Sequence, residues 1–292
     1  MKTPATAEGE PVSRSYLSHG VNLHYLDWGN EAAPPLLLVH GMRDHARSWD
    51  WTARALRDDW HVIALDLRGH GDSQWSPEGA YLSPYHALDI AGLVDILGHE
   101  RLTIVAHSFG GNASARFAAL YPQRVAKLVL VDGLGPSAQR LAEWAQCGPV
   151  PRSREWLEKR RAGSGRTPRR LATLSEAIAR MAAANPHLSA DQARHLAAHG
   201  VRRHAEGYGW KYDPLVGTFL PEDFAVDLAG FWREISAPTL LCWGTESWTS
   251  NPATDGRTAC FRDHRLLVLE QAGHWLHHDR LDAFLAALRE FL

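Results

Sequence analysis

Residues Leu102–Gly111 read Leu-Thr-Ile-Val-Ala-His-Ser-Phe-Gly-Gly. The first five form an apolar, largely β-branched run, the pattern of a strand buried on both faces. A segment rich in small residues, Ser108–Tyr121, follows with no loop between, and Pro122 stops it. A strand that becomes a helix within one residue belongs to a parallel sheet, where each helix carries the chain back across the sheet. The same alternation recurs on both sides. Leu36–Val39 (begun by Pro34-Pro35), His61–Asp66, Lys127–Asp132, Pro238–Trp243 and Leu266–Leu269 have strand patterns. Trp49–Asp59, Pro84–Leu97 and Asp279–Leu292 have helical spacing, with Ser83 placed to cap the helix that starts at Pro84. Tyr16–His19 and Val21–Trp28, joined through Gly20, read as an opening hairpin. The expectation is an α/β fold with a mostly parallel central sheet and helices on both faces.

The rhythm breaks between Gly133 and about Phe231, which is rich in Arg, Ala, Trp and His and has no convincing strand. Glu155–Arg161 and Leu171–Ala184 read as amphipathic helices, with breaks at Gly163–Arg170 and Asn185-Pro186. The chain divides into a flexible tail (1–13), a first part of the core (14–133), a helical insertion (134–231) and a second part of the core (232–292).

Composition narrows the class. A chain of 292 residues that is 45% hydrophobic can bury a large core. With 31 basic and 33 acidic residues, it has no basic excess for nucleic acid and no acidic run. No stretch approaches the roughly 18 apolar residues of a membrane span. Met1–Ser13 holds one lysine, two prolines and no apolar stretch, so no signal peptide is expected. Cys147, Cys242 and Cys260 are scattered and read as reduced packing residues. These features point to a cytoplasmic protein with no nucleic-acid or membrane partner; a small-molecule substrate, no cofactor, no metal and a monomer or homodimer are the further expectations.

Ser108 stands where strand meets helix, in Ala106-His-Ser-Phe-Gly110. This is the context of the G-x-S-x-G elbow, with Ala in place of the first glycine. The turn needs small neighbours because it is crowded, and it pushes the hydroxyl out of the chain path. The helix N-terminus beneath favours negative charge there. Ser108 is the candidate nucleophile.

The chain at this point resembles the α/β-hydrolase superfamily. Leu37-Leu-Val-His-Gly41 resembles its HG segment, Asp66-Leu-Arg-Gly-His-Gly-Asp-Ser73 its D-x-R-G-x-G-x-S turn, Ala106–Gly110 its elbow and Ala272-Gly-His274 its histidine turn. The four motifs occur in the family's order, and the insertion lies where that family carries a helical cap. The resemblance implies a serine hydrolase cleaving a carboxylic ester, thioester, lactone or amide. A C–C bond hydrolase with the same triad, and a non-catalytic ligand-binding protein of this fold, are the alternatives.

His274, on a loop at the carboxyl end of the sheet, is the candidate base. His277 and His278 read as solvent-facing or capping residues of the closing helix. The backbone N–H groups of Phe109 and Met42 are the candidate oxyanion donors. Family resemblance puts the acid at Ser247, which cannot carry charge. Glu246, one residue early, is one candidate, and Asp132, at the end of strand Lys127–Asp132, is the other, because some members of the superfamily that the chain resembles draw their acid from that strand end. Asp66 reads as a turn fixture. His40, Gly41, His107 and Trp210 are candidate substrate contacts, and Trp144, Trp156, Tyr208, Tyr212 and Phe219 are further aromatic candidates from the insertion. The insertion's arginines, at 152, 154, 160, 161, 166, 169 and 170, read as a solvated face.

Overall fold

A computed structural model describes residues 9–163, 170–219 and 227–292. The chain opens with β1 (Val12–Ser18) and β2 (Val21–Asp27), paired antiparallel through His19-Gly20. Both turn residues have positive φ, 46° and 81°, as a two-residue hairpin turn requires. Next come β3 (Pro35–Val39), α1 (Asp50–Leu56), β4 (His61–Leu65), α2 (Ser83–Leu97), β5 (Leu102–His107), α3 (Ser108–Leu120) and β6 (Val125–Val131). Four helices follow: α4 (Ala138–Ala145), α5 (Pro149–Gly163), α6 (Leu174–Ala184) and α7 (Ala190–Gly200). A small hairpin, β7 (Val201–His204) and β8 (Gly207–Trp210), comes next. The chain ends with α8 (Leu228–Glu234), β9 (Thr239–Gly244), β10 (His264–Leu269), α9 (Leu276–Asp279) and α10 (Leu281–Phe291).

Eight strands form one sheet in the order β1-β2-β4-β3-β5-β6-β9-β10. From β4 through β10 every pairing is parallel, and β2 alone runs against the rest, antiparallel to both β1 and β4. The period-two rule explains the two-sided burial. Leu37, Val39, Ile104 and Leu130 face α2, α3 and α8, while Leu36, Leu38, Val105 and Val131 face Trp49, α1 and α10. The sheet's carboxyl edge is therefore held from both faces, and the loops leaving β3, β5, β6, β9 and β10 start from fixed points.

The structure departs from expectation at several elements. Ser83 does not cap α2. It is the first helical residue, after Leu82 in extended conformation, and its hydroxyl donates to Asn112 Oδ1 at 2.7 Å. The segment 134–231 is not all helical, because it contains the β7–β8 hairpin. The closing helix begins later than Asp279, at Leu281, after the single turn α9. His277 and His278 lie on that turn and are buried rather than exposed, with His277 stacked on Trp49 at 4.6 Å. The break at Asn185 is present, and most of the one at Gly163–Arg170 lies outside the described residues. Of the insertion's arginines, those at 166 and 169 also lie outside them.

Candidate active site

Ser108 is the first residue of α3 and sits at φ 53°, a left-handed backbone that costs a non-glycine residue on the order of 1–3 kcal/mol. Close backbone approaches hold it there. A methyl on Gly41 would come within 2.7 Å of His107 Nδ1 and 3.0 Å of the Ser108 Cβ. A methyl on Gly111 would sit 2.7 Å from the Gly133 Cα. The loop after β3 and the end of β6 thus press on the elbow from two sides, and only glycine allows it.

The Ser108 hydroxyl lies 2.8 Å from His274 Nε2. His274 Nδ1 lies 2.7 Å from Asp132 Oδ2. Asp132 follows β6 at φ 47°, nearly buried, and its N–H donates to the Cys242 carbonyl on β9 at 2.8 Å. Two hydroxyls also donate to its carboxylate, Ser247 to Oδ2 and Thr249 to Oδ1, each at 2.5 Å. A serine, an imidazole and a carboxylate in this order can pass a proton from the hydroxyl to the ring while the acid fixes the tautomer.

Glu246 takes no part in this chain of contacts. Its carboxylate is half exposed and pairs with His187 at 3.2 Å, while its N–H donates to the Ala272 carbonyl. The position that resemblance assigns to the acid, Ser247, instead solvates an acid that comes from β6. The parallel pairing of β6 with β9 makes this possible, because it sets the two strand ends side by side.

The turn carrying His274 is pinned from both sides. Asp279 accepts the Gly273 N–H at 2.8 Å. His107 Nε2 donates to the His274 carbonyl at 3.0 Å, and burial pushes His107 well below the usual histidine range, which keeps it neutral. The Asp279 contact with this turn is one that sequence reasoning missed. Its spacing from His274 carries no motif.

Met42, Phe109, His107, Ser108, Asp132 and His274 share a cavity of about 860 Å³ at the carboxyl edge of the sheet. Trp144 and its neighbours on α4 form the opposing wall, and Trp248 and Trp275 complete it. The Phe109 N–H belongs to the first turn of α3, whose donors no helical carbonyl reaches. Trp248, which sequence reasoning also missed, is 79% exposed, and its ring lies 4.7 Å from that of His274.

His40, Gly41 and Trp210 are not on the cavity wall. His40 is fully buried. Its Nε2 accepts the Leu67 N–H at 3.0 Å and its Nδ1 donates to the Gly41 carbonyl at 2.7 Å, so it ties two loops together. Burial pushes it down to about 3, so it stays neutral. Gly41 acts by its lack of a side chain, beneath Ser108. Trp210 packs with Leu171, Ala177, Ala197 and Val201 in a small core of its own, because the β8 register turns it toward α6 and α7. Tyr208 joins that core, the Trp156 indole donates to the Thr218 carbonyl, and Phe219 stacks on Phe109 at 5.3 Å. Asp66 is a turn fixture, accepting the N–H groups of Ala46 and Asp72.

No described helix is long and apolar enough to cross a membrane. Comparison with known proteins gives the family. The chain is 30% identical over 277 residues to an esterase of Mycobacterium tuberculosis, covering 91% of this chain and 85% of that one. A serine hydrolase-like protein of Danio rerio is 37% identical over 109 residues, which cover 37% of this chain and only 33% of the relative's length. The solved thioesterase domain from the curacin biosynthetic pathway superposes with a TM-score of 0.81 at 22% identity, over 96% of this chain and 99% of that one, which shows a shared fold. The model of the alpha/beta hydrolase fold matches residues 34–281, from the start of β3 to the start of α10, and the chain belongs to that family of hydrolases.

Proposed function

We propose that this protein hydrolyses a carboxylic ester of a small molecule, with thioester, lactone or amide as chemical variants, through an acyl-enzyme on Ser108. The observation that carries this reading is the continuous contact from Ser108 Oγ through the His274 ring to Asp132, at 2.8 and 2.7 Å. The esterase relative, aligned over nearly the whole chain, supports it.

His274 Nε2 takes the hydroxyl proton as Ser108 Oγ bonds to the carbonyl carbon, and Asp132 stabilises the imidazolium through Nδ1–H. The carbonyl oxygen becomes an anion held by the N–H groups of Met42 and Phe109. Each such donor is worth on the order of 3–4 kcal/mol in the transition state. Collapse breaks the bond to the leaving alcohol, which takes the proton from Nε2. Water then gives a proton to His274, attacks the acyl carbon and releases the acid, restoring Ser108.

The test is the pre-steady-state release of p-nitrophenol from p-nitrophenyl acetate and butyrate. A burst equal to the enzyme concentration that disappears in Ser108→Ala is expected. Turnover equal in Ser108→Ala and in the unaltered protein would refute the scheme.

A further inference from the structure

The loop that carries Met42 continues into Arg43, which lies on the wall of the same cavity. Arg43 adopts φ 61°, a strained backbone shared with Ser108, Asp132 and Gln271 among the residues that carry or flank the site. Its guanidinium lies 5.8 Å from the centre of the Tyr212 ring, at the junction between the core loop and the inserted segment. A cation over an aromatic face is held in place without being neutralised.

Among the described residues, every other charged side chain on that wall has a partner. Arg140 pairs with Glu143 at 3.0 Å. Asp132 is occupied by His274, Ser247 and Thr249. Among the described residues no carboxylate pairs with Arg43. Among the described residues of the cavity wall, Arg43 is thus the one cation without a carboxylate partner; it is exposed, and it stands next to a proposed oxyanion donor on a wall that mixes aromatic and polar side chains.

We propose that Arg43 selects substrates that carry a carboxylate close to the scissile ester. This rests on the ester-hydrolase reading. The guanidinium fork matches a carboxylate with two parallel N–H donors, a geometry that lysine does not reproduce. The carboxylate stands on either the acyl or the alcohol portion, and matched ester pairs separate the two. The mono-p-nitrophenyl ester of glutaric acid against p-nitrophenyl butyrate probes the acyl side. The butyrate ester of 4-hydroxybenzoate against phenyl butyrate probes the alcohol side.

In one arm or the other, the ratio of kcat/KM for the anionic over the neutral ester is expected to be on the order of 10- to 100-fold. It should fall to near one in Arg43→Gln and recover only in part in Arg43→Lys. Binding of monophenyl glutarate and of the butyrate ester of 4-hydroxybenzoate, each against phenyl butyrate, to Ser108→Ala, followed by calorimetry with and without Arg43→Gln, reads the same preference without turnover. Anionic and neutral esters bound equally in both pairs, or a preference that survives Arg43→Gln, overturns the inference. A binding preference that depends on Arg43, in a protein that turns over no ester, upholds the inference and overturns the hydrolase reading instead.

Discussion

Ser247 donates its hydroxyl to the carboxylate of Asp132 at 2.5 Å, on the same oxygen that accepts from His274. The loop after β9 thus serves the acid without supplying it. If Asp132 is the working acid, Asp132→Asn should lower kcat by on the order of 10³–10⁴, since the amide supports the wrong imidazole tautomer. Glu246→Gln should change kcat less than about two-fold, because its carboxylate pairs with His187 and not with His274. Steady-state ester hydrolysis by the two variants checks this, and comparable losses in both would contradict the assignment.

The proximity of Ser247 to Asp132 also predicts a rescue. In the double variant Asp132→Asn, Ser247→Asp, a carboxylate returns close to His274 Nδ1 from the neighbouring strand. Activity should recover at least roughly ten-fold over Asp132→Asn alone, the coupling expected of residues in one hydrogen-bonded network. Strict additivity of the two single changes would show that the site accepts its acid from β6 only.

The contact between Gly111 and Gly133 predicts a stability effect. Gly111→Ala places a methyl 2.7 Å from a backbone atom that cannot rotate away. A loss of about 1–3 kcal/mol is expected, visible as a Tm lower by several degrees. Gly133→Ala meets the same obstacle from the other side, at 2.9 Å from the Gly111 Cα. The double variant should therefore lose less than the sum of the two. Thermal melts of the three proteins decide it, and an unchanged Tm in Gly111→Ala would refute the packing argument.

The buried histidines set a pH dependence of stability. Burial pushes His40 and His278 down to about 3 and His70 to about 4. In the unfolded chain each titrates near its ordinary value of about 6.5. Between those limits the unfolded state binds more protons than the native state, so stability rises with pH. The contribution is complete above about pH 6.5 and is lost as pH falls toward 3–4. Tm should fall steadily from pH 7 to pH 4.5 in scanning calorimetry, and a flat Tm across that range would contradict it.

What could be read from residue order alone follows the range of the interactions involved. The strands around Ser108 announce themselves through continuous apolar runs, and the elbow, the HG segment and the histidine turn are each contained within a few residues. That Asp132 rather than Glu246 meets His274 depends on the register of β6 against β9, which joins positions 115 apart in the chain. The β7–β8 hairpin is hard to read from sequence because Val201-Arg-Arg-His lacks an apolar alternation and Gly207-Tyr-Gly-Trp carries two glycines, which disfavour strands. His277 and His278 look like surface residues, yet α9 is a single turn that folds inward onto Trp49. Trp210 was misplaced for the same reason: an aromatic residue in a cap segment can face the cap's own core as readily as a cavity.

Ser247 and Thr249 both turn inward to grip Asp132, and the residue between them has to turn the other way. That residue is Trp248, held at the cavity rim by the two anchors of its loop rather than by burial of its own. The hydroxyls that donate to the Asp132 carboxylate are thus also the mounting of that part of the cavity wall. Under the proposed function, a change at either one should alter turnover and substrate range together, so the two properties would not be free to evolve apart.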